Sequence, residues 1–259
     1  MVHLLPGRLL ASVVAAIAVV AAIPDPSSYG DQDLWVYTAQ WLPQVCNEKS
    51  VRDSAVCKHL SKSQFQTTHF VAENLVPTYT DGSAQFGMCR YEYGTFLPSN
   101  IVAGGGANTL KQYWPYLNPA AKWGHLWDGE IGGTSTPQYN WTCGGMHQAD
   151  YLRNVTALTT GITPSFVSQH IGETVETAAV RAAFKATHNV DVVLRCDDST
   201  KLARVLVCLD KAKPSATSSD PTYEPTTAIP CPNAIQSHDS CSGHEVSIVG
   251  VGGRSFVSV

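Results

Sequence analysis

Eight cysteines carry the plainest chemistry in this chain: Cys46, Cys57, Cys89, Cys143, Cys196, Cys208, Cys231 and Cys241. No two of them form a C-x-x-C pair, so zinc ribbons and dithiol redox chemistry have no support. An even number in an exported chain instead predicts disulfides. The histidines do not cluster: His69, His147, His170, His188, His238 and His244 sit at no metal-ligand spacing, and no metal is expected. Gly132-Gly133-Thr134-Ser135 lacks the G-x-S-x-G turn that presents a hydrolase serine. Gly104-Gly105-Gly106 lacks the following Lys-Ser/Thr of a phosphate loop and reads as a flexible break. Asn140-Trp-Thr and Asn154-Val-Thr fit the N-glycosylation sequon, which matters only in an exported chain.

Export is what the N-terminus predicts. Arg8 precedes Leu9 to Ile23, an apolar run of about 15 residues with small residues at Val20-Ala21-Ala22, the pattern of a secretory signal peptide. The run is shorter than the roughly 20 residues a membrane span needs. Residues 1–22 are therefore read as a signal peptide and 23–259 as one domain, monomeric and without a membrane segment. The chain has 259 residues, 15% of them charged and 44% apolar, and a net charge of −4. Such a composition excludes a disordered tail protein, and the acidic balance excludes tight electrostatic binding to duplex nucleic acid.

The elements that must position any chemistry follow from pattern. Residues 31–45 alternate aromatic or apolar positions with polar ones, as a half-buried strand does, and His69 to Val76 is a second strand candidate. The intervening Cys46 to Thr68 is polar and reads as a surface excursion closed by the Cys46 and Cys57 pair. Gln148 to Leu158 and Glu173 to His188 carry helical spacing, the second through Val175, Ala178, Ala179, Ala182, Ala183 and Ala186. Gly161 to Pro164 stops the first helix. Val190 to Cys196 and Val205 to Leu209 bracket the polar Asp197 to Thr200 as a disulfide-bounded hairpin, and residues 212–230 read as a Pro/Ser/Thr-rich loop.

Taken in order, several segments resemble the ribonuclease T2 family of secreted acid and S-like ribonucleases. Leu34 to Cys46 (LWVYTAQWLPQVC) is similar to that family's first core strand. Phe70 to Pro77 (FVAENLVP), followed by Asp81-Gly82-Ser83, is similar to its first active-site segment, F-x-x-H-G-L-W-P. Leu110 to Ser135 is similar to the second, in which a Tyr-Trp-Pro helix leads to H-E-W-x-K-H-G-T-C. Gln148 to Leu152, Gly161 to Pro164, Leu194 to Cys196, Val207 to Lys211 and Cys231-Pro232 fall where the family has its helices and C-terminal cysteines. The resemblance covers about residues 31–245 and implies an α+β fold, an antiparallel sheet flanked by helices and stapled by disulfides. It also implies the pairings Cys46 with Cys57, Cys89 with Cys143, Cys196 with Cys241 and Cys208 with Cys231. In the second pair Cys143 replaces a family cysteine whose position holds Ser135.

Members of that family cleave RNA by passing the phosphodiester to the neighbouring ribose 2′-hydroxyl, with two imidazoles exchanging the protons and a Glu and a Lys stabilising charge. RNA supplies its own nucleophile, so no cofactor is expected. Here the first imidazole position is Glu73, the Trp position Val76 and the Asp position Thr78. In the second segment His125 and Trp127 remain, Leu126 replaces the Glu, and the lost histidine aligns with Glu130 or Gly132. The resemblance thus leaves His125, Glu73 and Glu130 as vestigial or rewired proton-transfer groups, and Trp127 and Asn74 as substrate contacts. The expectation is a secreted, catalytically impaired or inactive relative that binds single-stranded RNA or an extracellular or host protein. The alternative is a weak acid endoribonuclease working through Glu73 and His125 to a 2′,3′-cyclic phosphate.

Overall fold

Strand β1 (Leu34–Gln40) is an inner strand of a seven-stranded sheet. The computed structural model describes residues 29–85, 98–115, 143–213 and 222–252. β1 is buried along its whole length, which corrects the half-buried reading: both faces are covered. Trp35, Tyr37 and Ala39 enter the main core, while Leu34 and Val36 join a smaller core on the opposite face. The aromatic polar atoms that would oppose such burial are satisfied. Trp35 Nε1 donates to the Tyr223 carbonyl at 2.7 Å, and the Tyr37 and Thr159 hydroxyls share a hydrogen bond of 2.8 Å.

On one side β1 pairs antiparallel with β2 (Val71–Thr78) and on the other with the long β5 (Lys201–Lys211). The far edge of β5 carries β4 (Val193–Asp197) in a hairpin and then β6 (Pro225–Ile229). The hairpin turn uses left-handed backbone at Asp198 and Ser199, φ 52 and 63, residue types that tolerate it. β6 corrects the reading of residues 212–230 as loop throughout. Two three-residue strands, β3 (Thr174–Glu176) and β7 (Glu245–Ser247), pair with one another, and Ser247 opposite Lys201 joins them to the sheet.

The longer helices pack against the main core on one face of the sheet. Residues 46–68, expected as a polar excursion, contain α2 (Ala55–Lys58) and α3 (Gln64–Thr68) after α1 (Leu42–Val45), and bury Leu60 and Gln66. The Gln66 side chain donates to the Lys111 and Gln112 carbonyls at the end of α4 (Ala107–Tyr113), which is why a polar residue there is buried. Gly104 to Gly106 is an ordered turn: Gly104 leaves no room for a Cβ beside Leu110, and Gly106 (φ 90) is the N-cap of α4.

Helix α5 (Gln148–Gly161) buries Tyr151, Leu152 and Val155, and the short α6 (Ser165–Gln169) follows it. Helix α7 (Thr177–His188) begins later than expected, because residues 174–176 form β3. Its alanine stripe is not its buried face: Ala178, Ala182 and Ala186 are exposed, whereas Thr177, Val180 and Phe184 are buried. The larger side chains at i and i+4 remove more apolar area from water than alanines do and so set the orientation. A last short helix, α8 (Asn233–Gln236), sends Ile235 into the smaller core.

Three of the implied disulfides are present: Cys46–Cys57, Cys196–Cys241 and Cys208–Cys231. The last two tie the β4–β5 hairpin to the C-terminal segment rather than to itself. Cys143 is also disulfide-bonded, and Cys89, the partner implied for it, lies outside the described residues.

Candidate functional site

Glu73 lies at an irregularity of β2. The register runs from Thr38 opposite Asn74 to Ala39 opposite Ala72, so Glu73 has no residue across from it on β1. A bulge of this kind re-aims one side chain and often adjoins an active site. Aromatic side chains fix the strand around it: Trp114 Nε1 donates to the Glu73 carbonyl at 3.0 Å, and the Tyr151 hydroxyl donates to the Leu75 carbonyl at 2.6 Å.

The Glu73 carboxylate is held by β5. Arg204 Nε donates to Glu73 Oε2 at 3.0 Å, and Arg204 Nη1 donates to Glu48 Oε1 at 2.9 Å. The guanidinium is the most enclosed member, with its side chain 17% exposed against 28% for Glu48 and 32% for Glu73. Burial works to lower the Arg204 pKa, yet the attraction of Glu73 and the bond to Glu48 outweigh it and raise the value above an ordinary arginine's. Glu48 arrives on the segment closed by Cys46–Cys57, so the triad joins that segment, the bulge and the central sheet.

Across the sheet from Arg204 the register places Gln40 on β1 and Arg195 on β4. Side chains directly opposite one another share a face, so Gln40, Arg204 and Arg195 form one row. Asn74, Thr38, Leu206 and Val193 form the next. Arg195 is exposed and makes no ion pair among the described residues. Gln44 donates to Asp197 Oδ2 at 2.9 Å, closing the polar margin of this face.

Of the residues expected at the site, the structure places Glu73 and Asn74 next to one another and half-buried. His125, Trp127, Glu130 and the sequon residue Asn140 lie outside the described residues. Asn154 lies on α5, and its Nδ2, the atom a glycan takes, donates to the Asp150 carbonyl and to Glu224 Oε2. Arg204 and Glu48 were missed by sequence reasoning. A signal for the first existed: a charge inside the apolar run of β5 needs a counter-ion if the strand is buried. Nothing comparable marks Glu48. His69 stacks on Phe65 with ring centres 4.5 Å apart and bonds Thr68, which accounts for it as a packing residue. A separate cavity of about 400 Å³ at the start of α7 is lined by Glu176, Arg181, Cys241 and His244 among others and shares no residue with the triad. Among the described residues no cluster of His, Cys, Asp and Glu could hold a metal ion, and no helix is long and apolar enough to cross a membrane.

A largely antiparallel sheet flanked by helices and stapled by disulfides makes this an α+β protein, and its fold is shared with known structures. Ribonuclease MC1 from bitter gourd seeds superposes with a TM-score of 0.54 at 19% identity, covering 83% of this chain and 99% of that one. RNase NT in complex with 5′-AMP gives 0.52 at 13% identity, covering 78% and 91%. An RNase-related protein from Calystegia sepium gives 0.52 at 18% identity, covering 84% and 97%. No curated protein matches the chain in sequence. The sequence model of the ribonuclease T2 family matches residues 32–219, and the chain belongs to that family.

Proposed function

We propose that this ribonuclease T2-family protein is exported and that its RNA-cleaving chemistry is lost or strongly impaired, so that it acts by binding RNA or an extracellular or host protein. The observation that carries this reading is the Glu48–Arg204–Glu73 triad. Glu73 stands where the family pattern has an imidazole, and its carboxylate is committed to a guanidinium that a second carboxylate also holds. A group that passes protons must be able to reach the substrate and exchange with it. Glu73 is instead a member of the scaffold, tied on the strand side by Trp114 and on the side-chain side by Arg204. Losing one positioned acid or base typically costs about 10² to 10⁴ in rate. The departures at Leu126 and at the Lys-His pair of the second segment act in the same direction.

Export is supported by the apolar leader and by the cysteine usage. The relatives' bound nucleotides support recognition of a nucleotide by this chain, since RNase NT is seen with 5′-AMP. The decisive experiment is RNA cleavage by the purified, oxidised protein between pH 4 and pH 8, with 2′,3′-cyclic phosphate ends as the readout and His125→Ala as the control. The expected outcome is no product above the level of that variant. Cyclic-phosphate product that His125→Ala and Glu73→Gln both abolish would overturn the reading and establish the weak endoribonuclease in its place.

A further inference from the structure

Arg195 and Arg204 face one another directly on adjacent strands and point to the same side of the sheet. Like charges in that position destabilise a sheet unless an anion sits between them. Glu73 and Glu48 supply anions to Arg204 through its Nε and Nη1. Neither is bonded to Arg195, and Arg204 Nη2 has no acceptor among the described residues. Arg195 is exposed, and the arginine pair lies beside the polar side chains of Gln40, Thr38 and Asn74. Planar guanidinium groups recognise phosphate by parallel N–H donors, with geometric selectivity that a lysine lacks.

We propose that Arg195 and Arg204 form a binding site for the phosphate group of a nucleotide, and that Glu73 and Glu48 partly mask it from within. Two guanidinium groups and two carboxylates balance, so the site holds phosphate loosely in the unaltered protein. Removing one carboxylate leaves a net positive site. The inference rests on the binding reading above, but is distinguishable from it. Cleavage with phosphate binding sinks only that reading; absence of both sinks only this one.

The test is titration of the full protein with inorganic phosphate, 5′-AMP and adenosine, followed through the arginine Nε resonances. Phosphate and 5′-AMP should perturb Arg195 and Arg204, and adenosine should not. Glu73→Gln or Glu48→Gln should tighten phosphate by about tenfold, the effect of losing one nearby negative charge, and adding Arg195→Ala should remove the gain. Should Glu73→Gln fail to fold, Glu48→Gln, outside the bulged strand, and Arg195→Glu in the otherwise unaltered protein carry the test. Arg195→Glu should abolish the phosphate response. A response that survives Arg195→Glu, or carboxylate variants that bind phosphate no tighter than the unaltered protein, would overturn the proposal.

Discussion

At the scale of single residues, Arg204 is worth more as a counter-ion than as a point of contact. Its replacement by alanine would leave Glu48 and Glu73 half-buried with no other ion-pair partner among the described residues. Breaking a buried pair from one side is far costlier than losing an exposed pair. For this partly exposed triad we expect Arg204→Ala to cost about 2 kcal/mol and Glu48→Gln less than about 1 kcal/mol. Urea denaturation of the two variants checks the order, and an Arg204→Ala loss no larger than that of Glu48→Gln would mean that the triad does not hold the bulge. Glu73 was legible in the sequence as a strand residue where the family pattern has its first imidazole. Its state was not, because the bulge depends on the register of two strands far apart in sequence, and the partner lies 131 residues further on. Pairing over such a separation is decided by sheet topology, which local pattern does not encode.

Helix α7 shows the same limit at the scale of an element. Its existence was legible in the alanine-rich spacing, but its orientation was set by Val180 and Phe184, and its first turn was given up to β3 because Thr174 to Glu176 finds a partner in β7. At its C-terminal end His188 lies over Phe184, with ring centres 6.3 Å apart. Burial lowers the His188 pKa below that of an ordinary histidine, against a weaker upward pull from the Ile162 carbonyl. The unfolded chain therefore binds this proton more readily than the folded one. The helix is most stable above the ordinary histidine value of about 6.5 and loses stability as pH falls from there towards the depressed native value. Melting temperatures of His188→Gln and the unaltered protein, compared between neutral and mildly acidic pH, read this directly. The variant should lose less stability on acidification, and equal losses would assign the acid sensitivity to other groups.

For the whole molecule, the family order of segments made the sheet and three disulfides legible in the sequence, whereas β6 and the helices within 46–68 were not. Polar composition hid them: β6 (PTTAI) has little apolar content, and the helices are short, α2 burying none of its residues and α3 only Gln66. The disulfides bear unequally on that architecture. Cys196–Cys241 closes a span of 45 residues and Cys46–Cys57 one of 11, so chain entropy alone assigns them about 4 and about 3 kcal/mol. Cys196–Cys241 has a second effect. It holds residues 239–241 along the open edge of β4, where Ser240 N donates to the Leu194 carbonyl, Cys196 N donates to Ser240 Oγ and Leu194 N donates to Asp239 Oδ2. Replacing both cysteines by serine should therefore cost more than the loop term, and hydrogen exchange should show the amides of Leu194 and Cys196 losing protection while β1 keeps its own. The Cys46/Cys57 double replacement should leave those two amides protected. If both replacements differ in stability only by the entropy of their loops and β4 stays protected in each, the edge is closed by Arg181, which grips Asp239 through two hydrogen bonds of 2.7 and 2.8 Å, and the disulfide contributes only through the unfolded chain.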